Sequence, residues 1–204
     1  MGFYDERVLP HLVHLAMRQE ALLPYRQRVV QAAHGQVLEI GVGSGLNLPL
    51  YGGEARHVTG LDTSPRLLSM AQHSHPGSAV VAELIEASAE ALPFENQSID
   101  TVVSTWTLCS IPAVGAALAE MRRVLKPAGE LRFVEHGRAP DATVRLWQDR
   151  LTPVWKRLAG GCHLNRPIPE LLEEAGFRVE RLETGYMKGP KPMTFMYEGQ
   201  ARPR

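Results

Sequence analysis

Val37-Leu38-Glu39-Ile40-Gly41-Val42-Gly43-Ser44-Gly45 joins a short apolar run to three glycines within five residues. The run reads as a strand, and the glycines allow a tight turn with positive φ and a ligand's close approach to bare main chain. A helix is expected next, capped by Asn47 with Pro49 in its first turn, so that unpaired backbone N–H groups face a polar ligand. Glycines at this spacing also occur in plain strand-to-helix turns, so the motif needs support from its neighbours.

Downstream, His57 to Leu61 reads as a second strand ending at Asp62 and Thr63, and Ser64-Pro65 opens a helix. An acidic side chain at such a strand end accepts the hydroxyls of a nucleotide ribose, or caps the following helix. Val80 to Glu86 is a third strand, and the loop Ser88 to Phe94, including Ala89 and Glu90, leads to a fourth at Ile99 to Ser104. From Pro112 to Leu125 the apolar residues Val114, Ala117, Leu118, Met121 and Leu125 share a helical face. Lys126-Pro127-Ala128-Gly129 should end that helix, and Glu130 to Glu135 supplies a fifth strand. This alternation predicts an α/β fold, doubly wound, with parallel strands and helices on both faces. A short helix, Glu170 to Ala175, closes at Gly176. Phe177 to Glu183 and Met193 to Gln200 then fit an antiparallel edge hairpin.

Two segments lie outside the alternation. Residues 1–34 form a helical cap in two or three pieces interrupted at Pro10 and Pro24, either a flap on the sheet or a lid over a ligand. Arg138 to Arg166, with Trp147, Trp155 and Gly160-Gly161-Cys162-His163, is an insertion at the edge where substrate pockets form. His163 and Arg166 are offered there to orient an acceptor.

With 204 residues the chain suits one domain, and 22 basic residues balance 22 acidic ones. No nucleic-acid partner is indicated. Cys109 and Cys162 lie far apart without metal-type spacing, so neither a disulfide framework nor a zinc site is expected. The histidine pairs His11/His14 and His73/His75 lack acidic or cysteine companions, and no metal is expected. Charged residues near the N-terminus argue against a signal peptide or an integral membrane span, which points to the cytoplasm.

In the order of its motifs the chain resembles the class I S-adenosylmethionine-dependent methyltransferases. The residues that carry the resemblance are Glu39 to Gly45, Asp62, the Ser88 loop with Leu92-Pro93-Phe94, and Leu125 to Glu130. It implies seven strands in the order 3-2-1-4-5-7-6, with the last strand antiparallel. It further implies that Gly41, Gly43 and Gly45 meet the methionine moiety, with Glu39 nearby to favour the sulfonium cation. Asp62 with Thr63 would hold the ribose, and Ser88, Ala89 and Glu90 would border the adenine, although the family commonly has aspartate where Ser88 stands.

The chain also looks like the methyltransferase-like 7 thiol methyltransferases and their bacterial relatives, through Leu108-Cys109-Ser110, Glu135-His136, Trp147-Gln148, Pro153-Val154-Trp155 and Gly161-Cys162. Those membrane-associated enzymes carry an apolar N-terminal anchor, and the first residues here, with Asp5, Glu6, Arg7 and Arg18 among them, do not read as one. The reaction so implied is methyl transfer to a small, largely apolar acceptor, with a thiol first and a quinone precursor or phospholipid amine as alternatives. Trp106 after the fourth strand could wall the transfer site, or be a core aromatic. His136 at the end of the fifth could act as base, or be structural. A nicotinamide-dependent oxidoreductase is the competing reading, but the dinucleotide pattern needs a small third residue where Leu46 stands.

Overall fold

The computed structural model describes residues 2–74 and 82–204, and they form one seven-stranded sheet. The strands are β1 (Gly35–Ile40), β2 (Ala55–Asp62), β3 (Ala82–Glu86), β4 (Ile99–Thr105), β5 (Leu125–His136), β6 (Phe177–Tyr186) and β7 (Phe195–Pro203), in the order β3-β2-β1-β4-β5-β7-β6. All pairs are parallel except β5 with β7 and β6 with β7, which are antiparallel. This is the order that the family resemblance implies, and the parallel pairing and terminal antiparallel hairpin are those expected from the sequence pattern. Chain order reverses between β1 and β4, so their carboxyl ends diverge and open a crevice.

Helices α1 (Leu9–Met17), α2 (Leu23–Val30), α3 (Pro65–Ser74), α4 (Val114–Val124), α5 (Ala142–Leu158), α6 (Ile168–Glu174) and the single turn α7 (Lys191–Thr194) complete the fold. Pro10 and Pro24 sit in the first turns of α1 and α2, where the missing N–H costs nothing, so each proline starts a helix. A π-helical turn, Tyr4–Val8, leads into α1. The segment 138–166 is mostly the 17-residue α5. No helix among the described residues is long and apolar enough to cross a membrane.

Neighbouring residues of the central strands feed opposite cores. Leu38, Val102 and Phe133 belong to one apolar cluster, with Leu118 and Met121 of α4 and Ile168 of α6; Val37, Val103 and Val134 belong to the other, with Val29 and Val30 of α2. A strand buried on both faces is apolar on both, which is why β1 reads as a run, Val37-Leu38 and Ile40, broken only by the buried Glu39, rather than an alternating pattern.

Three expectations need correction. No α-helix follows the glycine turn. Only the 3₁₀ turn Leu48–Leu50 forms, and Asn47 caps nothing because its side chain is drawn inward. β5 begins at Leu125, not Glu130: Leu125 pairs with Ile99 across a bulge, and Lys126 Nζ holds Asp100 Oδ1 at 2.7 Å, keeping the connection extended. The last strand starts at Phe195 because α7 occupies the preceding residues. For the third strand, Val80 and Val81 lie outside the described residues.

Gly199 of β7 tests the packing at the hairpin. A Cβ there would lie 2.3 Å from the carbonyl oxygen of Arg181 and 2.8 Å from Phe133 Cζ, beside the bulge between Val179 and Arg181. Backbone cannot yield as a flexible side chain does, so Gly199→Ala should cost on the order of 1–3 kcal/mol in urea unfolding.

Candidate functional site

The crevice is a cleft of about 1440 Å³ running from the glycine turn to the region between β5 and α5. At one end the glycine turn supplies its floor. Gly41, Gly43 and Gly45 have φ of 69°, 56° and 79°, values that side chains tolerate poorly. A Cβ on Gly41 would strike Thr107 Oγ1 at 2.3 Å, whereas one on Gly43 would meet only the Gly41 carbonyl at 3.9 Å. Main chain is therefore bare to the cleft at Gly43.

Asp62 braces this turn against β2. Its Oδ2 accepts the Gly43 N–H at 3.0 Å and its Oδ1 the Ser64 N–H at 2.8 Å. Burial pushes the Asp62 carboxyl above its ordinary range, partly offset by those N–H donors. Thr63, Ser88 and Ala89 line the cleft beside it. The Ser88 hydroxyl stays within its own turn, accepting the Glu90 N–H at 3.2 Å.

Glu39, Gly45 and Glu90 do not line the cleft. Glu39 is buried at 1% exposure, with Oε1 accepting Asn47 Nδ2 at 2.8 Å and Oε2 accepting the Tyr51 hydroxyl at 2.7 Å. Asn47 also donates to Thr105 Oγ1 at 3.0 Å and accepts Arg26 Nη1 at 2.7 Å. Desolvation dominates over these donors and lifts the Glu39 pKa to about 7. Glu90 instead takes the Ala113 N–H at 2.7 Å, just ahead of α4.

The cap closes over the turn. Residues of α1 line the cleft, and His14 Nδ1 lies 2.7 Å from Ser44 Oγ. Arg26 links the cap to the far end, its guanidinium 4.9 Å from the centre of the Trp106 ring. Trp106 has φ of 52°, unusual for a non-glycine residue. It is held there by its N–H bond to the Val134 carbonyl at 2.8 Å and by Nε1 on Met196 Sδ at 3.4 Å. It faces the cleft and packs on Tyr25 edge-to-face, so it is at once wall and core.

Beyond Trp106 lies a polar pair on β5. Glu135 is fully buried, and Oε1 accepts the Ser104 hydroxyl at 2.8 Å and the N–H groups of Thr107 and Leu108 at 3.0 and 3.1 Å, which shapes the loop after β4. His136 Nε2 lies 3.1 Å from Cys162 Sγ, and Trp155 Nε1 donates to the same sulfur at 3.4 Å. Burial opposes charging of His136, while Cys162 and the Glu135 carboxylate favour it and leave the balance upward. Contact with Cys109 and burial push the Cys162 thiol up, against the opposing pull of His136.

The cysteine spacing says nothing of where the fold places these side chains. Separation in sequence hid that Cys109, His136 and Cys162 converge, their donor atoms all within 4.8 Å of one another. Arg166 is also not what the sequence suggested. It is buried and donates to the carbonyls of Leu108 and Ile111, fastening the loop that carries Cys109. His163 is likewise turned to the Cys109 carbonyl. Of the early histidines, His11 approaches Arg66 at 3.4 Å and His14 approaches Ser44; His75 lies outside the described residues.

Residues 38–133 match the family described as a methyltransferase domain. The chain is 34% identical over 176 residues to the human thiol S-methyltransferase TMT1B, covering 82% of this chain and 69% of that one. Against the rat protein of the same name it is 36% identical over 154 residues, 72% of this chain and 62% of the relative. The chain thus spans between three-fifths and seven-tenths of these relatives' length. Among solved structures, an S-adenosylmethionine-dependent methyltransferase from Methanosarcina mazei superposes with a TM-score of 0.67 at 22% identity, covering 88% of this chain and 97% of that one. The sheet order and the 34% identity over most of the human relative's length have one reading: the chain belongs to the S-adenosylmethionine-dependent methyltransferase family.

Proposed function

We propose that the protein transfers a methyl group from S-adenosylmethionine to a small, largely apolar acceptor, with a thiol sulfur as the target. The observation that carries this reading is the cleft's polarity. It runs from bare main chain and a carboxylate at Gly43 and Asp62 to a soft, apolar end of Trp106, Cys109, Trp155, Cys162 and Met196. The family excludes the nicotinamide alternative, in keeping with Leu46.

The residues present fit the cofactor. Gly43 offers bare main chain that a Cβ would cover, Asp62 and Thr63 are assigned to the ribose, and Ser88 and Ala89 to the adenine. Glu39, Gly45 and Glu90 serve from behind, Glu39 through its charge in a low-dielectric setting. When bound, S-adenosylmethionine supplies an electrophilic methyl on a cationic sulfur. Trp106 walls the acceptor against water, and His136 takes up the acceptor's proton where it carries one. A thiol asks least of such a base, because its ordinary pKa of about 8.5 leaves it partly ionised at neutral pH. Free Cys109 and Cys162 support a reducing, cytoplasmic setting. A quinone precursor or phospholipid amine is the second reading. It is favoured by the exposed stripe of Trp147, Leu151, Val154 and Leu158 along α5, which suits a lipid-like acceptor.

Titration calorimetry with S-adenosylmethionine should give saturable binding, and Asp62→Ala should weaken it by roughly tenfold or more, about 1.4 kcal/mol. A panel of thiols, phenols, amines and quinone precursors should show turnover with thiols; turnover confined to amines or quinone precursors would reverse the acceptor assignment.

Glu39 supplies a test through pH. Its carboxyl is raised in the folded chain from 4.5 to about 7, so the native state holds more protons than the unfolded one between those values. Stability should fall as pH rises through that window, by on the order of 3 kcal/mol. Glu39→Gln should flatten that slope in thermal unfolding. Because a cationic ligand favours the ionised carboxylate, wild-type affinity for S-adenosylmethionine should rise from pH 6 to pH 8, and the Gln variant should lose that rise.

A further inference from the structure

The acceptor end holds a group of donors that the cofactor site leaves unused. Cys109 follows β4, His136 ends β5, and Cys162 lies in the turn after α5. Three separate elements therefore bring two thiols and an imidazole within 4.8 Å of one another. The approach is built rather than incidental. Gly160 and Gly161 take φ of 57° and 83°, and a Cβ on Gly161 would sit only 3.1 Å from the Ser110 carbonyl, so the turn carrying Cys162 lies directly against the loop carrying Cys109. The His163 N–H closes the two together on the Cys109 carbonyl at 2.8 Å. Glu135 and Arg166 fasten that loop from beneath.

As they stand, these donors are under-bonded. Besides its contact with the Cys162 thiol, Cys109 Sγ has long contacts of 3.5 Å to the Trp106 carbonyl and Ser110 Oγ. His136 Nδ1 is buried with no hydrogen-bond partner among the described residues, and its Nε2 has only the sulfur at 3.1 Å. Tetrahedral zinc, with bonds of about 2.3 Å to sulfur and 2.0–2.1 Å to nitrogen, sets its donors about 3.5–3.8 Å apart. The His136 Nε2 to Cys162 Sγ spacing of 3.1 Å lies a little below those values, and no spacing among the three donors exceeds 4.8 Å. The Trp155 N–H on Cys162 Sγ matches the outer hydrogen bond that steadies a ligating thiolate.

We infer that Cys109, His136 and Cys162 form a binding site for a thiophilic divalent cation such as Zn²⁺, with its fourth coordination position open to the cleft. Soft thiolate donors with one imidazole select such a metal over magnesium or calcium. Three protein ligands leave one position free, and all three side chains line the cleft, so the free position faces it. Resting on the methyl-transfer reading above, that position takes the acceptor's sulfur. On metal binding Cys109 and Cys162 release their protons to solvent and bind as thiolates; the acceptor thiol likewise gives its proton to solvent on coordination and is held as a thiolate, which remains nucleophilic. His136 then acts as ligand, a more specific use than proton uptake.

The test uses the full chain, purified under reducing conditions and dialysed against zinc. About one zinc per chain should be retained by elemental analysis, and cobalt in its place should give thiolate-to-metal charge-transfer absorption. Cys162→Ser and Cys109→Ser should each lower zinc affinity by more than roughly tenfold, with folding checked by circular dichroism. Adding a small aromatic thiol should shift the cobalt spectrum. Wild-type protein that retains no zinc and gives no cobalt band overturns the site, as does zinc retention unchanged in the double cysteine variant or a Cys109–Cys162 disulfide in the freshly isolated protein. A cobalt spectrum indifferent to the thiol overturns the open position. A metal signature without methylation of any thiol would count against the functional reading alone.

Discussion

A buried carboxylate at the end of β1 governs much of this structure. Glu39 lies away from water, and an unpartnered acid there would cost several kcal/mol, so the surrounding chain is arranged to satisfy it. Asn47 and Tyr51 each give it a hydrogen bond, and to do so Asn47 must turn inward rather than cap a helix. Arg26 answers Asn47 from α2 and lies over the Trp106 ring. Through one acid the helical cap, the glycine turn and the wall of the acceptor end are tied into a single polar knot.

Two further acids repeat the device at other strand ends. Asp62 at the end of β2 takes backbone N–H groups from Gly43 and Ser64, and Glu135 near the end of β5 takes those of Thr107 and Leu108. Loops at the carboxyl edge of a parallel sheet leave N–H groups unpaired, and a carboxylate accepts several at once. The carboxylates therefore set the loop shapes, and the loops set the cleft.

These facts explain which parts were legible in the sequence. Parallel strands, helices on both faces and the antiparallel edge followed from alternation and a terminal hairpin, because periodicity and turn chemistry are local, whereas the order of the strands came from the family resemblance. The conformation of the glycine turn and the place of Asp62 were equally readable, since they depend on local backbone preference and on where a strand ends. Asn47 was not. Its local preference is to cap, and that lost to a buried partner whose demand appears only once β1 is in the sheet. Motif matching found Glu39, Gly45 and Glu90 without telling that they stand behind the cleft. The meeting of Cys109, His136 and Cys162 depends on three elements converging, which no spacing rule for two cysteines encodes. Only the partial clue that β4 and β5 are neighbours puts Cys109 and His136 on the same edge.

The two ends of the cleft are stabilised by different kinds of bond, and that difference bears on how an acceptor is chosen. At the cofactor end, backbone and carboxylate hydrogen bonds near 3 Å fix the glycine turn, and even small additions are refused: a methyl group on Gly41 has no room. At the acceptor end the side chains that face the cleft are held by apolar packing, one tilted tryptophan and sulfur contacts of 3.1–3.5 Å. Substitutions there alter the shape and softness of the pocket while the braces at Glu39 and Asp62 stay intact. Acceptor specificity can therefore change through Trp155 and the turn around Cys162 without rebuilding the cofactor site, whereas Trp106 is tied to the Glu39 brace through Arg26 and Asn47.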